Sequence, residues 1–516
     1  MPTYHPLNAP DSARPAPVWL PALAIGLAAG LLVYFATAER AVLVNDEGIF
    51  LQGGANVLRG AIPYRDFFGV TGPGTIWLLA AIFRLAGVTL RSARLLLAID
   101  FSILIGLTYW VASRLARPGA ALGGALLCAA LFFSSPNHLL INHRWDCSAA
   151  QLGAISMALS AIQSQRRKAA FLAGAFSVLA AWIAPPAGLV GVVIALRICI
   201  DGKTRRLVPF YAAGAAVCLI VPAAVLAFQG GLTPMFQAMF WNASNYSSAN
   251  RVPYGFFFGG PAALFAGARG AEWIQRILLA GPFLLPALLP PAVAVAWLPV
   301  LLRSPRRPEL FLLACGAAAV LSNYPRWDLF HLLCIAPLFL ALAAARIDRL
   351  RSGPTRVAVL LLFLLPAAEM SWLNLSVDDR VAIDSPAGRI RVSEPAARAI
   401  QMTLSHVRPG ATLFVFPYEP IFYFLTNARN PTRYLWLQPG MMSGQDERTA
   451  LSELNANPPQ WVLYHDMPPA YYLRIWPGAD PSRLRMNSIE EFIRTRYQLC
   501  DSARGPDGER QLMERR

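Results

Sequence analysis

Lysine is almost missing from this chain: Lys168 and Lys203 are the only two lysines among 45 basic residues, so arginine carries nearly all of the formal charge of +16. Charge of either sign is scarce, at 14% of 516 residues against 56% hydrophobic. Soluble domains carry about 25% charged residues, and this shortfall excludes a water-soluble enzyme as the class of the whole chain. Cysteine supplies no framework. Cys128, Cys147, Cys199, Cys218, Cys315, Cys334 and Cys500 are scattered, mostly within apolar runs, and form no CxxC or other metal spacing; they read as small core residues. No convincing small-residue cleavage site follows the first apolar run, which therefore reads as a retained anchor and not a signal peptide.

Long apolar runs are abundant. They lie at 18–38, 92–113, 119–135, 148–164, 168–183, 186–200, 207–228, 276–302, 309–322, 329–345 and 356–373, near the ~20 residues that a helix needs to cross a bilayer. The expectation is a polytopic α-helical membrane protein of about eleven transmembrane helices. One further run, "GPGTIWLLAAIFRLAG" at 72–87, fixes the parity of everything after it. If it does not cross, the loops with Arg114/Arg117, Arg166/Arg167/Lys168, Lys203/Arg205/Arg206, Arg303/Arg306/Arg307 and Arg346/Arg349/Arg351/Arg356 share one side. The positive-inside rule makes that side the cytoplasm. The turns "WIAPP" and "SNYPRWD", nearly free of basic residues, then face out. The basic charge is thus a mark of topology, and no nucleic-acid partner is expected. Segment 72–87 is expected to be re-entrant or to lie along the interface, which its Gly72-Pro73-Gly74 start suits.

The expected organisation is a cytoplasmic tail at 1–17, a transmembrane domain at 18–373 with a first external loop at about 39–91, and an extracytoplasmic domain at 374–516. In the last segment Pro, Asn, Asp and Glu return. "ATLFVF" and "QWVLYH" read as buried strands and "EPIFYFLTN" and "SIEEFIRTR" as helices, giving a small α/β domain. The expected compartment is the bacterial inner membrane.

This topology gathers three polar clusters at the outer face: "NDEG" at 45–48, "NHRWD" at 142–146 and "YPRWDLFH" at 324–331. Asp46, Glu47 and Asp146 are the candidate catalytic carboxylates; His143, Arg144, Arg326, Asp328 and His331 add cationic and titratable groups. Ionisable residues kept at helix ends within a bundle are functional candidates because desolvating them is costly. Each also has an ordinary reading. Asn45 or Asp46 could cap a helix, with Glu47 favourable in its first turn. Arg144–Asp146 and Arg326–Asp328 could be surface ion pairs, His143 could be merely interfacial, and His331 could be a core histidine bonded to a backbone carbonyl.

The chemistry that needs such a set is transfer of a sugar from a lipid-linked phosphate to a hydroxyl. A carboxylate acts as general base on the acceptor hydroxyl, which attacks the anomeric carbon opposite the phosphate and inverts it. The phosphate leaves without needing a proton, but needs cations to stabilise its charge. Phe50, Phe67, Phe68 and Trp77 would suit a polyprenyl chain at the interface.

"VNDEGIFLQGGANVLRGAIPYRDFFGVTGPG" at 44–74 resembles the first external loop of the integral-membrane glycosyltransferases of the GT-C superfamily, as in protein O-mannosyltransferases, the lipid A aminoarabinose transferase and the RgtA/B/C/D-like bacterial family. The matches are Asp46-Glu47, Pro63-Tyr64, Asp66-Phe67 and Pro73-Gly74, and Asp146 fits a second acidic position in the next external loop. The resemblance covers roughly residues 18–165 and the multispan layout. It implies a GT-C-like fold, Asp46 as general base with Glu47 and Asp146 supporting it, and a polyprenyl-phosphate sugar as donor substrate. It adds Tyr64, Arg65 and Asp66 to His143, Arg144, Arg326 and His331 as candidate substrate-binding residues. No cofactor follows with certainty; a divalent metal stays open, because some members use one and no His/Asp spacing here is decisive. The acceptor is a lipid, a glycan or a protein, and the sugar is a hexose or pentose.

Three other readings compete. A transporter or lipid flippase would carry ionisable residues near the bilayer midplane, where Asp100 alone is acidic. An assembly protein would use the helices as an anchor and the tail to bind a partner, and an inactive relative of the transferases would keep the fold without the reaction. In an active enzyme the aromatic stretch Tyr418–Tyr434 is the place to look for the acceptor site; its ordinary reading is the core of the small domain.

Overall fold

The computed structural model describes residues 18–43, 46–303, 308–376 and 380–516. The expected tail at 1–17, Asn45, and Arg306 and Arg307 lie outside the described residues.

Each of the eleven apolar runs is occupied by a helix. The first half of the chain gives α1 (Trp19–Thr37), α2 (Glu47–Leu58), α3 (Gly74–Ala86), α4 (Leu90–Ser113), α5 (Pro118–Phe133), α6 (His143–Ser164), α7 (Arg167–Ile183), α8 (Gly188–Ile200) and α9 (Val208–Phe228). Then come α10 (Leu232–Trp241), the short α11 (Ser247–Ala249), β1 (Val252–Phe256), α12 (Gly260–Phe265), α13 (Glu272–Arg303), α14 (Pro308–Leu321), β2 (Arg326–Asp328), α15 (Leu329–Asp348) and α16 (Gly353–Ser376). Among the described residues, six helices are long and apolar enough to cross a membrane, and α3, α5, α8 and α14 are shorter apolar helices. The protein is a polytopic helical membrane protein.

Small residues set the helix contacts. Gly26 and Gly30 of α1 face Ser102 of α4 so closely that a Cβ on Gly26 would sit 2.4 Å from the Ser102 carbonyl oxygen, the close backbone approach that small-xxx-small spacing permits. The opposite face of α1 shows Trp19, Leu23, Leu27, Leu31 and Phe35 outward, a stripe at helical spacing suited to lipid.

The chain between α1 and α4 leaves and returns at one end of the bundle. Arg94, in the first turn of α4, donates through Nε to the Thr37 carbonyl at the end of α1 (3.1 Å), so the two helix ends are level. Segment 72–87 follows the same rule. Gly72 N–H donates to the carbonyl of Ile183, at the end of α7 (3.1 Å). At its far end, Phe83 stacks on Phe424 with centroids 5.9 Å apart. Helix α3 therefore starts and ends at the same end of the bundle.

That end carries the second domain. After the hairpin β3 (Val381–Ser385) and β4 (Gly388–Val392) come α17 (Glu394–His406), β5 (Leu413–Phe416), α18 (Ile421–Thr426), α19 (Gly444–Ala456), β6 (Trp461–Asp466), α20 (Pro469–Ile475), α21 (Asn487–Arg496), β7 (Tyr497–Gly505) and β8 (Gly508–Arg515). The sheet order is β5-β6-β8-β7, with β5 and β6 parallel and the other pairs antiparallel. Strands β5 and β6 and helices α18 and α21 lie where the sequence pattern puts them. The β7–β8 hairpin was not anticipated: its strands are polar and half-exposed, so they show no apolar run, although Gly505-Pro506-Asp507-Gly508 is a turn signal. The hairpin β3–β4 clips the domain to the first loop, with Leu90 N–H donating to the Ala387 carbonyl (3.0 Å) and Ala41 N–H to the Arg391 carbonyl (3.1 Å).

Candidate active site

Three helices start at the same end of the bundle with polar side chains as N-caps. Thr89 caps α4 and Asn142 caps α6, while Asp328 caps α15 by accepting from His331 N–H at 2.9 Å. Each cap satisfies helix donors that would otherwise be stranded at the edge of an apolar core. Between them and the second domain lies a cavity of about 540 Å³.

Asp46 lines this cavity. It occupies the N-cap position of α2, yet its side chain makes no capping bond; instead Oδ1 accepts a hydrogen bond from the Tyr418 hydroxyl of the second domain. Glu47, one residue on, also borders the cavity, but its carboxylate is taken up by protein partners. It is buried against Arg94, and neither side chain has any solvent exposure; Glu47 Oε1 also accepts from Ile141 N–H at 2.7 Å. Glu47 ties α2, α4 and the loop before α6 together. Arg94 was missed by the sequence reading. Its signal was available: an arginine one turn into an apolar run needs a buried partner of opposite sign.

The 326–331 cluster also faces the cavity. Arg326 donates through Nε to Asp328 Oδ2 (2.6 Å) and through Nη1 to Asn250 Oδ1 (2.9 Å), and Nη2 has no hydrogen-bond partner among the described residues. His331 Nδ1 lies 2.7 Å from Asp328 Oδ1. Burial alone would raise the Asp328 carboxyl, but His331 and Arg326 against it hold it well below the usual carboxylate range. Burial likewise opposes the charge on Arg326, and Asp328 more than offsets it. This is a buried polar network in place of the surface pair of the ordinary reading, and His331 is bonded to a carboxylate, not to a carbonyl. His143 lines the cavity too, tilted on Phe50 with centroids 5.3 Å apart.

The other candidates lie apart from the cavity. Asp146 is buried on the first turn of α6, where Oδ2 accepts from Thr75 Oγ1 at 2.6 Å and the carboxyl meets that of Asp100 inside the bundle. Arg144 does not pair with Asp146; it reaches Asn323 Oδ1 at 3.3 Å. Tyr64 is buried, with φ +68°, and its hydroxyl donates to the Thr71 carbonyl (2.5 Å), closing the loop. Arg65 and Asp66 pair with each other at 2.7 Å, and Asp66 accepts from Ile62 N–H at 2.8 Å. These three shape the loop and do not line the cavity.

The second domain supplies the remaining wall, with Tyr418, Trp436, Gln438, Tyr471, Arg474 and Trp476. Phe256, Phe257, Phe258 and Phe283 make an apolar flank, with Phe258 and the neighbouring Tyr254 exposed on the outside. No local pattern marks the residues of the second domain as facing a cavity, beyond the aromatic density after Tyr418.

Among the described residues one group has metal-ligand chemistry: Glu419, His465 and Asp507. Arg510 already holds it. Its guanidinium donates to both Glu419 oxygens (2.6–3.1 Å) and to both Asp507 oxygens (3.0 and 2.7 Å). These bonds take up much of the acceptor capacity of the two carboxylates, and the guanidinium charge opposes a second cation beside it, although both His465 ring nitrogens have no hydrogen-bond partner among the described residues.

The structure is similar to that of ArnT from Cupriavidus metallidurans bound to undecaprenyl phosphate, with a TM-score of 0.59 at 16% identity over 95% of this chain and 97% of that one. It is also similar to the Archaeoglobus fulgidus oligosaccharyltransferase in complex with Zn and sulfate, with a TM-score of 0.55 at 11% identity over 95% of this chain and 72% of that one. The chain has the GT-C fold. No family model matches it, and no curated protein does. The likeness takes in the second domain as well as the helices, so the GT-C fold here is one architecture with the cavity at the seam between its two parts.

Proposed function

We propose that this protein is an inverting glycosyltransferase that moves a hexosyl or pentosyl group from a polyprenyl-phosphate donor to a hydroxyl acceptor at the outer face of the bacterial inner membrane. The observation that carries the reading is Asp46: an ionisable carboxylate on the wall of a cavity bounded by an apolar flank on one side and cations on the other. Asp46 takes the acceptor proton as the acceptor oxygen bonds to the anomeric carbon and the bond to the phosphate breaks. Arg326 Nη2 and Arg474 are the cations available to the leaving phosphate. Phe256, Phe257, Phe258 and Phe283 offer the polyprenyl chain an apolar path from the bilayer. Undecaprenyl phosphate bound by ArnT, which has the same fold, supports the choice of donor class. In this reading Glu47 anchors the catalytic turn, and Asp146 holds α6 against α3 through Thr75.

The test is Asp46→Asn in the native host, with envelope glycolipids and glycoproteins compared by mass spectrometry against wild type and a full deletion. Loss of the same sugar from both mutant strains, at normal expression and insertion, supports the transferase and identifies the product. A deletion phenotype that Asp46→Asn does not share removes Asp46 as the base.

A further inference from the structure

We infer that Tyr418 of the second domain is a positioning residue for Asp46, an inference that rests on the transferase reading above. Two dipeptides meet at the cavity, Asp46-Glu47 and Tyr418-Glu419, and they are built alike. The first residue of each lines the cavity, and the second is buried in an ion pair, Glu47 with Arg94 and Glu419 with Arg510. Behind Glu419, Arg510 also binds Asp507 at 2.7 Å, and His465 stands 3.4 Å from Glu419. The backbones of the two segments touch: a Cβ on Gly48 would lie 2.2 Å from the Ile421 nitrogen. The bond between Tyr418 and Asp46 therefore joins two fixed points, and little freedom is left to lose when it forms.

Its effect is to orient the base. A carboxylate held at Oδ1 by one donor keeps its second oxygen in a constant direction, and that oxygen makes no hydrogen bond among the described residues. The Tyr418 ring is itself fixed by edge contacts to Trp436 (6.1 Å between centroids) and Trp476 (5.7 Å). Burial and the adjacent Asp46 carboxylate raise the pKa of its hydroxyl well above the usual range, so Tyr418 keeps its proton and donates throughout while Asp46 does the proton transfer. The second domain thereby completes the catalytic turn of the first, and a bundle without it holds Asp46 unaligned.

Tyr418→Phe keeps the ring contacts and removes only the hydroxyl. Initial rates would be measured across pH 5–9 in membrane vesicles of the native host, which contain donor and acceptor, following by mass spectrometry the envelope species missing in the deletion strain. Tyr246 and Arg326 also lie close enough to act on Asp46, Asp328 lines the same cavity, and all three are unchanged in the variant. The expected result is a rate lowered about tenfold at neutral pH, the loss of one hydrogen bond to a charged group. The acid limb of the profile should also move to higher pH, because a carboxylate that loses a donor binds protons more readily; the unfolding midpoint in detergent should stay unchanged. A wild-type profile, or a lowered rate with an unshifted acid limb, overturns the proposal. Asp46→Asn assayed in parallel separates the two readings, since wild-type turnover there removes the base itself whatever Tyr418 does.

Discussion

Glu47 and Arg94 form an ion pair in which both side chains have 0% exposure, and the same arginine holds the carbonyls of Thr37 and Arg40 at 3.1 and 2.6 Å. One guanidinium thus sets the end of α1, the start of α2 and the start of α4. Removing one member of such a pair strands a buried charge, at a cost of about 3–5 kcal/mol. Glu47→Gln and Arg94→Met are each expected to lower the unfolding midpoint in detergent sharply, and Glu47→Gln/Arg94→Met combined to recover part of the loss. A double variant no better than the worse single one contradicts this account.

Asp328 gives a pH dependence with a definite sign. Its folded pKa lies below its unfolded value, so its contribution to stability is fully present above the unfolded pKa of ~3.9 and is lost as pH falls through the folded value. Asp328→Asn should therefore be less stable than wild type from pH 8 to about 5, with the margin shrinking toward pH 3. Thermal unfolding of both proteins across that range checks it; a variant as stable as wild type between pH 5 and 8 contradicts it.

Gly48 has no space for a side chain because the Ile421 backbone lies against it. Gly48→Val is expected to undock the second domain while leaving the helices inserted. Limited proteolysis of membranes should release a C-terminal fragment from the variant and not from wild type, with at least a tenfold loss of product. Equal protease resistance would mean that the clamp yields at little cost.

The proposed orientation is testable with the chain's own thiols. Cys500 is exposed on β7 and Cys199 is exposed near the end of α8, beside the basic loop. A membrane-impermeant maleimide added to intact spheroplasts should label Cys500 and spare Cys199, with the two becoming comparable only after lysis. The reverse pattern would invert the topology.

Hydropathy alone determined that this protein is a helical membrane protein, where its helices lie, and that a compact domain follows them, because the demand of a bilayer for apolar length is local and repeats along the chain. It also located three polar clusters at one face, and Asp46, His143, Arg326 and His331 do meet at one cavity. Only the tertiary structure decided which neighbour does what. Asp46 and Glu47 are adjacent in sequence but about 100° apart around a helix, so one carboxylate takes the Tyr418 hydroxyl and the other Arg94, a choice that no pattern in "NDEG" encodes. Asp146 looks equivalent to Asp46 in sequence, yet the packing of α6 against α3 and α4 turns it toward Thr75 and Asp100. The contact of Tyr418 with Asp46 spans 372 residues; it exists because two segments distant in sequence dock backbone to backbone, and docking geometry leaves no local trace in the sequence of either.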